Sequence, residues 1–72
     1  MLNGRAVLGD GREVEVRVTD LSREGCRVES GETLRIGERI TLSAAPLENV
    51  TAVIRWELCG TAGVRFVQGD WT

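Results

Sequence analysis

The sequence predicts an all-β fold, a small six-stranded antiparallel β-barrel with no helix or a minimal one. Apolar and polar residues alternate through most of the chain, which is the period of a strand with one buried face. Turn-forming residues recur about every ten residues, as expected where short strands are joined by tight turns. Closure into a barrel is expected because an open sheet of 72 residues would leave its edges unpaired and bury little of its apolar set.

The first three predicted strands lie in the amino-terminal half. Residues 5–8 form the first, which ends at Gly9-Asp10-Gly11, where two glycines and an aspartate supply the positive-φ positions of a hairpin turn. Residues 13–19 form the clearest strand, since three valines alternate with charged residues. These valines are Val14, Val16 and Val18. Residues 26–29 form a third, short strand, and Ser30-Gly31 ends it.

A proline defines the end of the fourth predicted strand, which covers residues 38–43. Pro46 has no amide hydrogen for a strand ladder, so residues 44–49 are predicted to form an irregular connection.

The last two predicted strands form a hairpin. Residues 50–58 carry five apolar side chains at alternate positions, which predicts that all five face the core. They are Val50, Ala52, Ile54, Trp56 and Leu58. Residues 59–61 supply the turn, and residues 63–67 form the partner strand.

Length and charge limit the classes of function. Residues 1–72 are one domain, whose small core leaves room for stabilisation by a protein partner or a second copy of the chain. Nine arginines and no lysine stand against eleven acids, and this net charge of −2 argues against DNA or RNA binding. No apolar stretch is long enough to cross a membrane and the start lacks a signal-peptide pattern, so a cytoplasmic protein is expected.

The residue types argue against catalysis and metal binding. The chain has no histidine, so neither a histidine acid–base mechanism nor a catalytic triad is available. The two cysteines, Cys26 and Cys59, are expected to be reduced and buried, and a zinc site built on them would need an unusual ligand set. We therefore expect no enzyme, no metal and no cofactor.

The segment Asp20 to Gly25, DLSREG, is the main candidate site. Its carboxylate could accept two parallel N–H donors, its hydroxyl could donate or accept beside them, and its glycine could let the backbone approach a ligand, so Asp20, Ser22 and Gly25 together could hold the edge of a guanine. The alternative is an ordinary turn, in which Asp20 and Ser22 bind the turn's own amides and Gly25 takes a positive φ.

The order of motifs resembles the PilZ domain, the bacterial receptor module for cyclic di-GMP. Asp-x-Ser-x-x-Gly follows the valine strand and precedes LRIGERITL, VTAVIRWE and AGVRF, so the resemblance covers about residues 4 to 67. It implies a six-stranded antiparallel barrel in which the first of these motifs contacts a guanine of the ligand. Asp20, Ser22 and Gly25 take that role by position.

One family motif has no counterpart at its usual place. PilZ domains that bind the nucleotide well carry Arg-x-x-x-Arg ahead of the first strand, whereas here only Arg5 and Arg12 precede the valine strand, seven residues apart. Loss of two arginine–phosphate contacts costs roughly 3–6 kcal/mol, or about two to four orders of magnitude in affinity. We therefore expect a degenerate PilZ-type signalling adaptor that acts mainly through protein contacts, with weak or no nucleotide binding.

Two other functions stay open. The domain could be a true cyclic di-GMP receptor that uses Arg23, Arg27 or arginines of another subunit in place of the missing pair. It could also be a structural or oligomerisation barrel.

The three aromatic residues divide between core and surface. We expect Trp56 and Phe66 to pack in the core, and Trp71 either to cap the barrel or to contact a protein partner.

Overall fold

The computed structural model describes residues 2–45 and 47–67, and their regular structure is entirely β. The strands are β1 (Leu2–Val7), β2 (Glu13–Thr19), β3 (Gly25–Ser30), β4 (Arg39–Ala44), β5 (Leu47–Leu58) and β6 (Thr61–Phe66). They close into a barrel in the order β1-β2-β3-β6-β5-β4, and every neighbouring pair is antiparallel. The predicted six-stranded barrel is confirmed.

The interior of the barrel is apolar because each strand turns alternate side chains inward. No polar or charged residue of the described ranges is buried. The largest fully buried side chains come from four of the six strands and are Ile40, Leu42, Leu47, Ile54, Val18 and Val28. Each such aliphatic side chain contributes about 1.5–3 kcal/mol through removal from water. The valine strand behaves as predicted, since Val16 and Val18 are buried and Val14 packs against the core.

The fifth strand begins earlier than the sequence predicts. Residues 47–49 belong to β5 and are not part of an irregular connection, and Leu47 is only 1% exposed. A register shift allows this, because Leu42 pairs with Val50 while Ala44 pairs with Leu47. Asn49 absorbs the irregularity with a φ of 52°, and its amide donates to Ser43 Oγ at 3.1 Å. The bulge turns Leu47 into the core, and burial of that side chain offsets the irregular backbone.

A second bulge overturns the prediction that Trp56 packs in the core. Ile54 pairs with Val64 while Trp56 pairs with Gly63, so Arg55 is an extra residue on β5. The extra residue places Arg55 and Trp56 together on the outer surface. Trp56 is therefore 42% exposed, and Leu58, predicted to face inward as well, is 68% exposed.

The other aromatic and cysteine predictions have mixed outcomes. Phe66 is buried, as predicted, and Trp71 lies outside the described residues. Both cysteines are free, but Cys26 is buried while Cys59 is exposed at the β5–β6 turn, so the prediction that both are buried is wrong for Cys59. The described part of the chain contains no helix that could span a membrane.

Candidate functional site

The loop between β2 and β3, residues 20–24, is a turn closed by its own serine, and we call it the motif loop. The amide of Ser22 donates to the carbonyl oxygen of Gly25 at 2.9 Å, and its hydroxyl donates to the same oxygen at 3.2 Å. The amide of Glu24 donates to Ser22 Oγ at 3.3 Å. These bonds support the turn interpretation of DLSREG, because they already use most of the hydrogen-bonding capacity of the Ser22 hydroxyl.

Asp20 carries the unusual backbone of this loop. Its φ is 51°, the left-handed region, which aspartate tolerates better than most residues with a Cβ atom. The prediction that Gly25 takes a positive φ in such a turn is wrong. The Asp20 side chain is 65% exposed, and its Oδ2 lies 3.4 Å from Arg27 Nη1. The carboxylate therefore faces solvent with one cationic neighbour and with open acceptor sites.

Gly25 is needed for contact between strands. A Cβ atom at this position would overlap the carbonyl oxygen of Val64 on β6. Next to it, the carbonyl oxygen of Glu24 accepts a hydrogen bond from the amide of Phe66 at 2.8 Å. The close backbone approach that glycine permits is thus to β6, and it anchors the loop on the barrel wall.

A row of side chains runs from the loop across three strands. Arg27 on β3 pairs with Gly63 on β6, which in turn pairs with Trp56 on β5. The Arg27 Cζ atom lies 5.8 Å from the centroid of the Trp56 ring, within the range of a cation–π contact. A carboxylate, a guanidinium group and an indole ring therefore follow one another on the surface. We call Asp20, Arg27 and Trp56 the motif row.

The motif row forms one wall of a shallow concave surface of about 320 Å³. Further lining residues come from β3, β5, β6 and the motif loop, and they include Ser22, Glu24, Gly25, Arg55, Gly63 and Arg65. The lining includes three arginines, two acidic residues and an aromatic ring, which suit a ligand that has a planar ring, N–H donors and negative charge. Asp20, Ser22, Gly25 and Arg27 are brought together here, whereas Arg23 does not line this surface.

A larger groove lies on the outer side of β1, β2 and β3. Its volume is about 710 Å³, and it is lined by side chains of both charges that include Arg5, Glu15, Arg17 and Glu29. No aromatic side chain is among its lining residues. Alternating charges without a stacking face are typical of a solvated sheet surface, so we place the candidate site at the smaller concavity.

Sequence reasoning missed Arg55, Trp56 and Arg65 as site residues. The letters Ile54-Arg55-Trp56 continue the alternation of β5 without a break, so the periodicity carries no sign of the bulge. A weak signal stands on the next strand. Gly63 lies within β6, and a glycine inside a strand often marks a position where another group comes close to the backbone.

The comparison with protein families supports the resemblance seen in the sequence. The family model described as PilZ domain matches residues 5–70, which is nearly the whole chain. Searches of curated proteins and of solved structures each gave no significant match.

Proposed function

Since this chain belongs to the PilZ domain family of cyclic di-GMP receptors, we propose that it is a signalling module that recognises one guanine weakly and acts mainly through protein contacts. PilZ domains are non-catalytic receptor modules. The observation that carries the proposal is the motif row, which aligns Asp20, Arg27 and Trp56 on one open surface.

The motif row matches the chemistry of a guanine. The carboxylate of Asp20 accepts from the adjacent N–H groups of the guanine edge, as carboxylates do with paired donors. Trp56 and the guanidinium of Arg27 offer faces on which the base stacks, and stacking on an aromatic side chain is worth about 1–3 kcal/mol per base. Arg55 and Arg65 line the same surface and suit the phosphates.

The same geometry supports weak binding by these residues. The side chains of Asp20 and Arg27 are 65% and 50% exposed, so a ligand there stays close to water and each ionic contact is screened. Arg27 already contacts the Asp20 carboxylate and the Trp56 ring, and a guanine must compete with both contacts. We expect a dissociation constant above about 10 µM for the described barrel.

Exposed apolar side chains support the part of the proposal in which the domain acts through contacts with another protein. Leu58 and Ile36 are 68% and 67% exposed, and Leu21 within the motif loop is 36% exposed. Large apolar side chains at the centre of an interface contribute much of the binding energy when a partner covers them. Trp71, the partner contact suggested by the sequence, stays a prediction.

A second candidate, a true cyclic di-GMP receptor, is favoured by the arginines of β5 and β6. Neither Arg55 nor Arg65 has an ion pair within residues 2–45 and 47–67, so both are available to phosphates. Arg27 lies on the same surface. In this candidate these three arginines, or arginines of another subunit, bind the phosphates of the ligand.

Titration with cyclic di-GMP, followed by calorimetry and by amide NMR shifts, tests both candidates. Weak saturable binding that shifts the amides of Gly25 and Gly63 and is lost in Asp20→Asn supports the proposal. Glu15→Gln is the matched control, because it removes the same charge from the outer side of β2. Affinity tighter than about 10 µM that depends on Arg55 and Arg65 establishes the receptor candidate instead. Unchanged shifts at millimolar ligand overturn both.

A further inference from the structure

The outer face of β4, β5 and β6 gathers arginines that are distant in the sequence. Arg39 on β4 pairs with Val53 on β5, and Val53 pairs with Arg65 on β6. Since neighbouring strands lie about 4.8 Å apart, the backbones of Arg39 and Arg65 are separated by roughly 10 Å, with Val53 between them. The bulge turns Arg55 outward beside Trp56, next to this row. We call Arg39, Val53, Arg55, Trp56 and Arg65 the basic face.

None of the ion pairs within the described barrel involves an arginine of the basic face. All four ion pairs of the described residues involve other arginines, namely Arg5, Arg12 and Arg27. Arg39, Arg55 and Arg65 are exposed and make no ion pair there. The chain as a whole carries a net charge of −2, so the clustering of positive charge on this face is a local feature of the surface.

Apolar surface lies beside these arginines, toward the β5–β6 turn. The indole ring of Trp56 lies flat against the wall, since its Nε1 and Cε2 atoms cover the position where Gly63 would carry a Cβ. Leu58, two residues further along β5, is 68% exposed. Interfaces that bind tightly combine such aromatic and aliphatic anchors with arginine.

We propose that the basic face docks an acidic protein segment in which carboxylates alternate with apolar side chains. Charge complementarity favours this occupant, because the three guanidinium groups make no ion pair among the described residues and attract carboxylates, while the exposed Trp56 and Leu58 beside them attract apolar side chains. A ring that lies flat on Gly63 does not project for insertion into a bilayer, which favours a protein over a membrane surface. A second copy of the chain fits less well, because the outer side of β2 carries Arg17 beside its two acids and one of these acids, Glu13, is paired with Arg5.

Docking does not require nucleotide binding, but the two share residues. Arg55, Trp56 and Arg65 also line the concave surface of the motif row, whereas Arg39 does not. Because of these shared residues, the acidic segment and cyclic di-GMP are expected to compete, an expectation that rests on the proposed function. Binding of the nucleotide would then release the partner. Arg39 and Asp20 therefore separate the two ideas, since each belongs to one surface alone.

The test uses the full chain and a short fluorescein-labelled peptide of alternating Glu and Leu, with fluorescence anisotropy at low ionic strength. We expect saturable binding that weakens as salt rises and falls at least about five-fold in Arg39→Glu. Arg17→Glu makes the same charge change on the exposed outer side of β2 and is expected to leave peptide binding unchanged. Circular dichroism confirms that both variants fold, and a peptide with Gln in place of Glu is expected not to bind.

Four results would overturn the docking proposal. The first two are absence of peptide binding and an equal loss of peptide affinity in Arg39→Glu and Arg17→Glu. The third is Arg39-dependent binding to phosphatidylserine vesicles that is stronger than binding to the peptide. The fourth is self-association of the chain that Arg39→Glu abolishes. Asp20→Asn keeps the outcomes distinguishable. That variant is expected to lose cyclic di-GMP binding and to keep peptide binding. If the unsubstituted chain binds the peptide but not cyclic di-GMP, docking is supported and guanine recognition is contradicted, whereas the reverse contradicts docking alone.

Discussion

The indole ring of Trp56 covers Gly63 so closely that β6 has no room for a side chain at that position. This contact exists because the bulge at Arg55 turns Trp56 outward, and it places the ring beside Arg27 and the motif loop. The same glycine thus permits the aromatic face that the proposed guanine site needs. Substitution of Gly63 is therefore the most direct test of the site's geometry.

We expect Gly63→Ala to destabilise the protein by about 1 kcal/mol and to displace the Trp56 ring from the wall. The added methyl overlaps the ring, and the half-exposed ring gives way more easily than the strand. Urea unfolding measures the stability, and fluorescence in a Trp71→Phe background reports the ring. Gly31→Ala is the matched control, because a methyl there meets no atom within 4 Å, and we expect it to change stability little.

In a Trp56→Ala background the effect of Gly63→Ala is expected to reverse. Once the ring is gone, alanine costs less chain entropy than glycine within a strand, and the substitution is expected to stabilise by up to about 1 kcal/mol. A double-mutant cycle measures this coupling. Additive effects of the two substitutions would show that the ring does not rest on Gly63.

Substitutions of Asp20 are expected to separate backbone strain from charge. Asp20→Ala puts a residue without a polar side chain at a φ of 51°, with an expected loss of about 1–2 kcal/mol in unfolding free energy. Asp20→Asn tolerates that φ and is expected to be nearly neutral, although both variants remove the ion pair with Arg27. Equal losses in urea unfolding would mean that the ion pair, and not the backbone, is what Asp20 contributes to stability.

Loss of the Ser22 hydroxyl is expected to loosen the motif loop. Ser22→Ala removes the side-chain bonds to the Gly25 carbonyl and the Glu24 amide, and each is long, so the expected cost is about 0.5–1 kcal/mol. Hydrogen exchange of the Glu24 amide should accelerate in this variant. Ser22→Thr keeps a hydroxyl and should restore protection. Unchanged exchange in Ser22→Ala would show that the backbone bonds alone close the turn.

The two cysteines are expected to differ sharply in alkylation. Cys59 is exposed at the β5–β6 turn, whereas Cys26 is buried among the core residues. Burial raises the pKa of the Cys26 thiol to about 11, which lowers the fraction of reactive thiolate near neutral pH. Iodoacetamide followed by peptide mass spectrometry should label Cys59 first and Cys26 only with denaturant. Equally fast labelling of Cys26 would contradict its burial.

The same pKa shift predicts a loss of stability in alkali. The Cys26 thiol ionises near its ordinary pKa of 9.0 in the unfolded chain but only near 11 in the barrel. Between these values the unfolded state holds fewer protons than the folded state, so this contribution to stability is present below pH 9 and decreases as pH rises toward 11. Urea unfolding across this range measures it. In Cys26→Ala the unfolding free energy should decrease less between pH 9 and 11 than in the unsubstituted protein. An identical decrease in both proteins would exclude the thiol as its source.

Most of the fold follows from local patterns. Strand β2 is predicted with the bounds that the structure shows, since Val14, Val16 and Val18 define its inner face and a turn stands at each end. The predictions fail at the two bulges of β5, where Leu47 turns inward and Trp56 turns outward. Each bulge depends on pairing with a strand distant in sequence, and alternation along one strand cannot report that pairing.

The candidate site divides in the same way. DLSREG is recognisable from its residue types, and it is a turn that also presents a carboxylate. Its neighbours Arg27 and Trp56 are adjacent only because β3, β6 and β5 lie side by side in the closed barrel. The arginines of the basic face likewise come together through strand register and not through spacing along the chain.

By itself the sequence determined the all-β class, the strand number, the buried face of the valine strand and the resemblance to the PilZ domain. Each of these depends on local alternation, turn chemistry or motif order. The tertiary structure decided which side chains leave the core and which meet on the surface. Barrel closure and the bulge at Arg55 turn Trp56 outward onto Gly63, beside Arg27 and the exposed carboxylate of Asp20. The physical reason is that a one-residue shift in pairing reverses the direction of the side chains that follow it.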